Sequence, residues 1–516
     1  MLSQVTSGAI RGVDAYLVRV EVDQSRGIPS MTVVGLPEGA VREGRERVTA
    51  AIQNSGFYLP PRRFTINLAP ADVRKDGSAF DLPLALGLLA ATGAVKGNSL
   101  DGTCFVGELG LDGELRPVRG VLPLALRCRD EGLRALVVPA ENAMEAAVVG
   151  EIEVIAAASL REVIRHLAGR ERITPTHVDP QALFADPGGR ATTLDYADVR
   201  GQELAKRALE IAAAGHHNIL MVGPPGSGKS MLARRIAGIL PPLSVEEALE
   251  VTRVHSVAGR LAPGQALVVS RPFRAPHHTA SEAALVGGGS WPRPGEVSLA
   301  HHGVLFLDEL PEFRRTALET LRQPLEDGVV HVGRARQSVT FPARVMLAAA
   351  MNPCPCGHYG DGAGRCVCHE GQVRRYTQRV SGPLLDRIDM HVDVPALRPG
   401  ELIRRPPGES SAVIRERVVA ARERQRARFV GRPGIFANAD MGPREIRDSC
   451  RLDEKAESLL KTAIQRLGLS ARAYHRVLKL ARTIADLEGV EDIRTAHVAE
   501  AVQYRSLDRA RARSGV

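Results

Sequence analysis

The chain has 516 residues, with 68 Lys+Arg, 59 Asp+Glu and 44% hydrophobic residues, which is too apolar for disorder throughout and enough for roughly two to four domains. Its longest apolar stretch, Leu82 to Val95, is interrupted by Pro83, Gly87 and Gly93 and falls short of a membrane span. No charged region followed by an apolar block opens the chain, and seven Cys, four of them between 354 and 368, do not resemble a secreted disulfide framework. A cytoplasmic protein with no membrane partner is therefore expected. Residues 401–516 hold 24 Lys+Arg against 16 Asp+Glu, nearly all of the net charge of +9. That excess points either to a polyanion or to a solvated Arg-rich surface.

The predicted elements mix strands and helices from the start. In AYLVRVEVD (15–23), apolar Tyr16, Val18, Val20 and Val22 alternate with charged residues, the pattern of a half-buried strand. MTVVGLP reads as a strand, 40–53 as an amphipathic helix, RRFTINLAP as a strand and 80–91 as a buried helix. CFVGELGLDGELRPV reads as two strands around Asp112-Gly113, followed by a helix, the strands RALVVPA and IEVIAAA, and a helix ending near Arg165. This is an α/β domain, 1–170. Thr174-Pro175, Asp179-Pro180 and Asp186-Pro187-Gly188-Gly189 then mark a linker, 171–191. Alternating helices and strands follow over 192–395, and after RRPPGESS a helical region, 396–516, has helices at 412–429, 454–467, 471–487 and 495–504.

Between the apolar strand NILMVG and a helix starting near Met231 lies Gly223-Pro224-Pro225-Gly226-Ser227-Gly228-Lys229-Ser230, which fits G-x-x-x-x-G-K-[ST]. The glycines let backbone N–H groups turn inward around phosphates; Lys229 would reach the β/γ phosphates of ATP or GTP and Ser230 would hold Mg²⁺. The strand Val304–Leu307 runs into Asp308-Glu309, one carboxylate for Mg²⁺ and one to polarise the hydrolytic water. The strand Arg344–Met351 ends at Asn352, whose amide can orient that water.

The order of phosphate loop, DE strand and strand-end Asn is similar to that of AAA+ ATPases. The strings FRAPHHT, VLFLDEL, LEDG, FPARVMLAAAMNPCPCG and SGPLLDRID resemble the magnesium-chelatase-related branch, specifically the YifB/ComM family, over essentially the whole chain. The resemblance implies a central AAA+ P-loop domain with a parallel sheet and a C-terminal helical lid. It also implies a hexameric ring in which Arg387, in LLDRID, acts on the neighbouring subunit's ATP, a role suited to a guanidinium. A second arginine at the start of a lid helix matches Arg472, with Arg476 one turn further as a competitor. In related ring motors a hairpin before the strand-end Asn faces the pore. Here residues 329–343 form such a hairpin, with Arg334 and Arg336 as candidate DNA contacts.

The first domain resembles the Lon protease catalytic domain, with a ribosomal S5-type fold. Lys75-Asp76-Gly77-Ser78-Ala79 resembles its serine motif, but Leu124 stands where the resemblance expects the activating Lys, so a noncatalytic module is expected. Cys354-Pro-Cys356 and Cys366-Val-Cys368 supply four soft ligands for tetrahedral Zn²⁺, although reduced loop cysteines or a redox pair fit the spacing too. The pairs His277-His278 and His301-His302 are expected not to share a metal, since neighbouring side chains on a strand diverge. The function implied is an ATP-driven DNA motor of the branch-migration type; a metal-insertion ATPase subunit and a nucleotide-dependent scaffold or chaperone are the rivals.

Overall fold

The computed structural model describes residues 2–505 except 37–38, 72–74, 76, 186–193, 290–291, 335–336, 361, 363, 397–405, 433 and 468–469. Residues 186–191 of the expected linker, Asp76, Trp291 and Arg336 thus lie outside the described residues, as does the side chain of Arg334.

The N-terminal region builds a seven-stranded mixed sheet in the order Ser30–Val34, Arg63–Ala69, Asp14–Ser25, Leu2–Arg11, Thr103–Phe105, Ala135–Pro139, Glu153–Ala157. Leu2–Arg11 and Asp14–Ser25 form a ten-pair antiparallel hairpin. Ser3, Val5 and Ser7 of its first strand face inward, so small polar residues occupy core positions and blur the apolar alternation. The helix Asp81–Ala91 is buried along its whole length, and Asp81 is stabilised there by Arg47 Nε at 2.7 Å and the N–H of Leu109 at 3.1 Å.

The second sheet has five parallel strands ordered Phe273–Arg274, Val304–Leu307, Met346–Met351, Ile219–Val222, Met390–Asp393. Its central strands are buried on both faces and read as continuous apolar runs, as parallel sheets require. The helical region packs against one face: Ser411–Arg428 and Ala471–Glu488 share an apolar core with the helix Glu203–Gly215. Arg422 fastens that contact by donating to the carbonyls of Ala213 and Ala214.

The two sheet regions touch through the helices Val121–Asp130 and Val245–Ala258. Leu122, Val148, Leu243, Ala248 and Leu267 form a shared apolar cluster, and Ser256 donates to the buried carboxylate of Glu145. The described part of the expected linker is not free chain. Thr176 N–H bonds to the Val154 carbonyl at 2.8 Å, and Leu183 and Phe184 pack on the shared cluster. At Gly12, the turn of the first hairpin, a side chain would have its Cβ 2.5 Å from Val339. The first hairpin thus rests on the hairpin Val329–Arg334/Gln337–Pro342.

Among the described residues, no helix is long and apolar enough to cross a membrane.

Candidate nucleotide site

The strand Ile219–Val222 delivers the chain into the loop 223–228, and the helix Lys229–Arg235 leaves it. Gly223 sits against the next strand so tightly that a Cβ would lie 2.1 Å from the Val394 carbonyl oxygen, while Gly226 and Gly228 take φ of +74° and +93°, values that suit glycine. Lys229 lies along the loop, donating to the carbonyls of Gly223 (2.7 Å) and Pro224 (2.9 Å) and to Asn352 Oδ1 (3.3 Å). Burial lowers the Lys229 pKa, and the Asp308 carboxylate opposes the shift. Gln202, which sequence reasoning passed over, supports the loop from behind with φ +58° and an amide donating to the carbonyls of Ser227 (3.1 Å) and Pro395 (2.7 Å).

Ser230 Oγ donates to Asp308 Oδ2, so a hydroxyl and a carboxylate from adjacent elements face one another, a donor set that suits a hard divalent cation. Glu309 has φ +52°, and its N–H is capped by Asp308 Oδ1 at 2.9 Å. Its exposed carboxylate lies 3.3 Å from His278 Nδ1. Asn352 Oδ1 is held by Lys229, and its backbone lies near the Tyr376 hydroxyl, whose pKa burial pushes up to about 12. Phosphate loop, Asp308, Glu309 and Asn352 thus meet at the C-terminal edge of the sheet.

Arg387 and Arg472 lie at the other edge. Arg387 precedes the strand Met390–Asp393, which runs parallel to Ile219–Val222, and its carbonyl accepts from Asn218 at the start of that neighbouring strand, 3.0 Å away. A four-residue strand, roughly 13 Å long, separates this end from the phosphate loop. Arg387 pairs with Glu326, and Arg472 also acts on that carboxylate, holding it below the usual range with Arg387 as the larger cause. Both arginines line one cavity of about 380 Å³. Arg476, the competitor, is committed to Asp389 at 3.0 Å. Glu326 sits in the LEDG string, but nothing local in the sequence indicates a partner 61 residues away.

Ser78 donates to Glu108, and Leu124 lines the same cavity of about 490 Å³. Lys75, fully buried, donates to the Pro70 carbonyl.

The divergence expected of the His301 and His302 side chains needs correction. His302 takes φ +54°, which turns both rings to one side, with centroids 4.0 Å apart and both Nε2 atoms on Glu250 Oε2 at 3.1 and 2.8 Å.

Profiles of magnesium chelatase subunit ChlI match residues 20–142 and 195–402, and that of its C-terminal part matches 408–505. Competence protein ComM of Haemophilus influenzae is 46% identical over 510 residues, covering 98% of both chains. An uncharacterized YifB protein of Escherichia coli is 47% identical over 512 residues, again 98% of each. The chain belongs to the YifB/ComM family. This magnesium-chelatase-like AAA+ ATPase family also has more distant relatives: the magnesium-chelatase 67 kDa subunit of Chlorobaculum parvum is 33% identical over 162 residues, 31% of this chain and 23% of the relative. For a YifB/ComM chain, the five-stranded parallel sheet with the phosphate loop at its C-terminal edge is the AAA+ core.

Proposed function

We propose that this chain is the subunit of an ATP-hydrolysing ring, a homo-hexamer, that moves along single-stranded or branched DNA and migrates branches during recombination or natural transformation. Lys229 holds the β/γ phosphates, Ser230 and Asp308 hold Mg²⁺, Glu309 polarises the attacking water and Asn352 orients it. When bound, Mg²⁺ neutralises phosphate charge. Arg387 and Arg472 stabilise charge on the γ-phosphate of the adjoining copy. The observation that supports this reading most is the separation of parts: each chain carries its phosphate loop on one edge of the sheet and its two arginines on the other. A complete site on this reading needs two chains in head-to-tail contact.

The DNA reading is supported by the likeness to a competence protein and by the hairpin that carries Arg334 and Arg336. A structural Zn²⁺ on Cys354, Cys356, Cys366 and Cys368 belongs to the same reading. The deciding experiment measures ATP turnover with and without a four-way DNA junction and follows the junction by gel. Stimulated turnover with ATP-dependent strand exchange is expected, whereas DNA-independent turnover with an unmoved branch would refute a DNA motor.

A further inference from the structure

Residues 353–369 leave the ATP site at Asn352 and return as the helix Glu370–Thr377 without a helix or strand among the described residues between. Both ends of this excursion meet on Asn352. The strand Met346–Met351 runs into it, and the helix brings Tyr376 back near its backbone. The middle reaches the phosphate loop, where Gly357 (φ +85°) is pressed so closely on Pro225 that a Cβ would lie 2.4 Å from Pro225 Cδ. A stretch this long, with so little regular structure, has large conformational entropy to lose when it is held against a catalytic group.

The four cysteines lie within this excursion. Their sulfurs all lie within 4.8 Å of one another, with Cys354 to Cys356 at 3.3 Å, Cys354 to Cys366 at 3.8 Å and Cys356 to Cys366 at 3.7 Å. Tetrahedral zinc with Zn–S near 2.3 Å places its sulfurs about 3.8 Å apart. The N–H of Tyr359 donates to Cys354 Sγ at 3.3 Å, as outer N–H groups do toward metal thiolates. The other candidate cluster, Glu250, His301 and His302, fits a metal poorly: His301 Nδ1 accepts the Arg344 N–H at 3.0 Å, which leaves the proton on the Nε2 that faces Glu250.

We infer that the zinc–thiolate knot at Cys354, Cys356, Cys366 and Cys368 is the buttress of the ATP site, holding Asn352 and Pro225 in place so that zinc is required for hydrolysis and not for nucleotide binding. The inference rests on the zinc reading of these four cysteines. Gly357 conveys the knot's position to the phosphate loop, and Cys354, two residues beyond Asn352, conveys it to the water-orienting amide. A displacement of about 1 Å at a group that positions a reactant costs on the order of 100-fold in rate, whereas the carbonyls of Gly223 and Pro224 that hold Lys229 lie on the strand side of the loop, before Pro225.

The test uses the untagged full chain. Metal content is measured by mass spectrometry, and zinc is released by titration with an organomercurial in the presence of a metallochromic indicator. Fluorescent-ATP affinity and turnover are measured before release, after it, and again after thiol rescue and zinc addition. One zinc per chain is expected, with turnover falling on the order of 100-fold on release, affinity changing by less than about threefold, and both recovering together. Cobalt substitution should give the visible absorption of a tetrahedral thiolate site, independently of activity. Less than about 0.1 zinc per chain would overturn the zinc reading itself. Stoichiometric zinc whose removal leaves turnover unchanged, or removes ATP binding as well, would overturn the buttress and leave the metal site standing. Cys366→Ser should reproduce the same split between affinity and turnover.

Discussion

Pairing Arg387→Ala with Lys229→Ala tests whether ATP sites form between chains. Within its own chain Arg387 pairs with the half-exposed Glu326 and donates to the Pro383 carbonyl at 2.8 Å. Although the Arg387 side chain is only 12% exposed, a pair whose carboxylate is half-exposed and one hydrogen bond together contribute about 1–2 kcal/mol of stability, so Arg387→Ala should fold and bind ATP as the parent does. Its turnover should drop by 10³ or more, roughly the scale of an arginine that stabilises a transferring phosphoryl group. Lys229→Ala loses its own phosphate loop but keeps its arginines. In an equimolar mixture that exchanges subunits at random, half the chains have a working loop and half of their neighbours a working Arg387. About a quarter of the interfaces are then complete, and turnover per chain should rise to about a quarter of the parent value. A coupled spectrophotometric assay after co-incubation at several total concentrations measures this. A mixture no more active than its better component, with exchange verified by fluorescence transfer, would refute action between chains.

Gly223→Ala forces a Cβ to within 2.1 Å of the Val394 carbonyl, so the loop or the adjoining chain must shift and ATP affinity should weaken at least about tenfold in a fluorescence titration. An unchanged affinity would contradict that packing. Asp486 is fully buried and accepts from Arg428 (2.9 Å), Arg482 (3.1 Å) and Asn438 (2.8 Å). Asp486→Ala leaves the buried guanidinium of Arg482 without its carboxylate and should cost about 3–5 kcal/mol in chemical denaturation; a loss under about 1 kcal/mol would show the network is not needed. Burial lowers His301 to about 4, with Glu250 opposing the shift. Its folded pKa therefore lies below the unfolded value, the unfolded chain binds more protons between about pH 6.5 and 4, and stability falls as pH drops through that window. The loss, on the order of 3 kcal/mol, should be reduced in His301→Gln, and an identical pH profile would rule out His301 as its source.

The nucleotide side was legible because its chemistry is local. The phosphate loop lies between a strand and a helix adjacent in sequence, and both Asp308-Glu309 and Asn352 are marked by strands that run straight into them. The arginine side was legible only through family strings, since no local pattern joins Arg387 to Glu326 or brings Arg472 to the same carboxylate. The His301-His302 expectation assumed an ordinary extended backbone; φ +54° at His302 reverses the geometry, and Glu250 arrives from a helix some fifty residues earlier. Gln202 escaped notice because its role depends on φ +58° and on Pro395, 193 residues away. Leu2–Arg11 was missed because Ser3 and Ser7 occupy core positions that a hydrophobic period expects to be apolar.

The direction of the five-stranded sheet restricts which assemblies can work. Phosphate loop and arginines lie at opposite strand ends, so a site completed between copies needs the loop end of one sheet set against the arginine end of the next. In the proposed ring, repeated head-to-tail stacking does this. An open stack always leaves one bare loop at one end and one idle pair of arginines at the other, and closure supplies the missing site. If the proposed ring forms, turnover per chain should rise with assembly size and level off at closure, and a gap opened for a DNA strand would cost one ATP site.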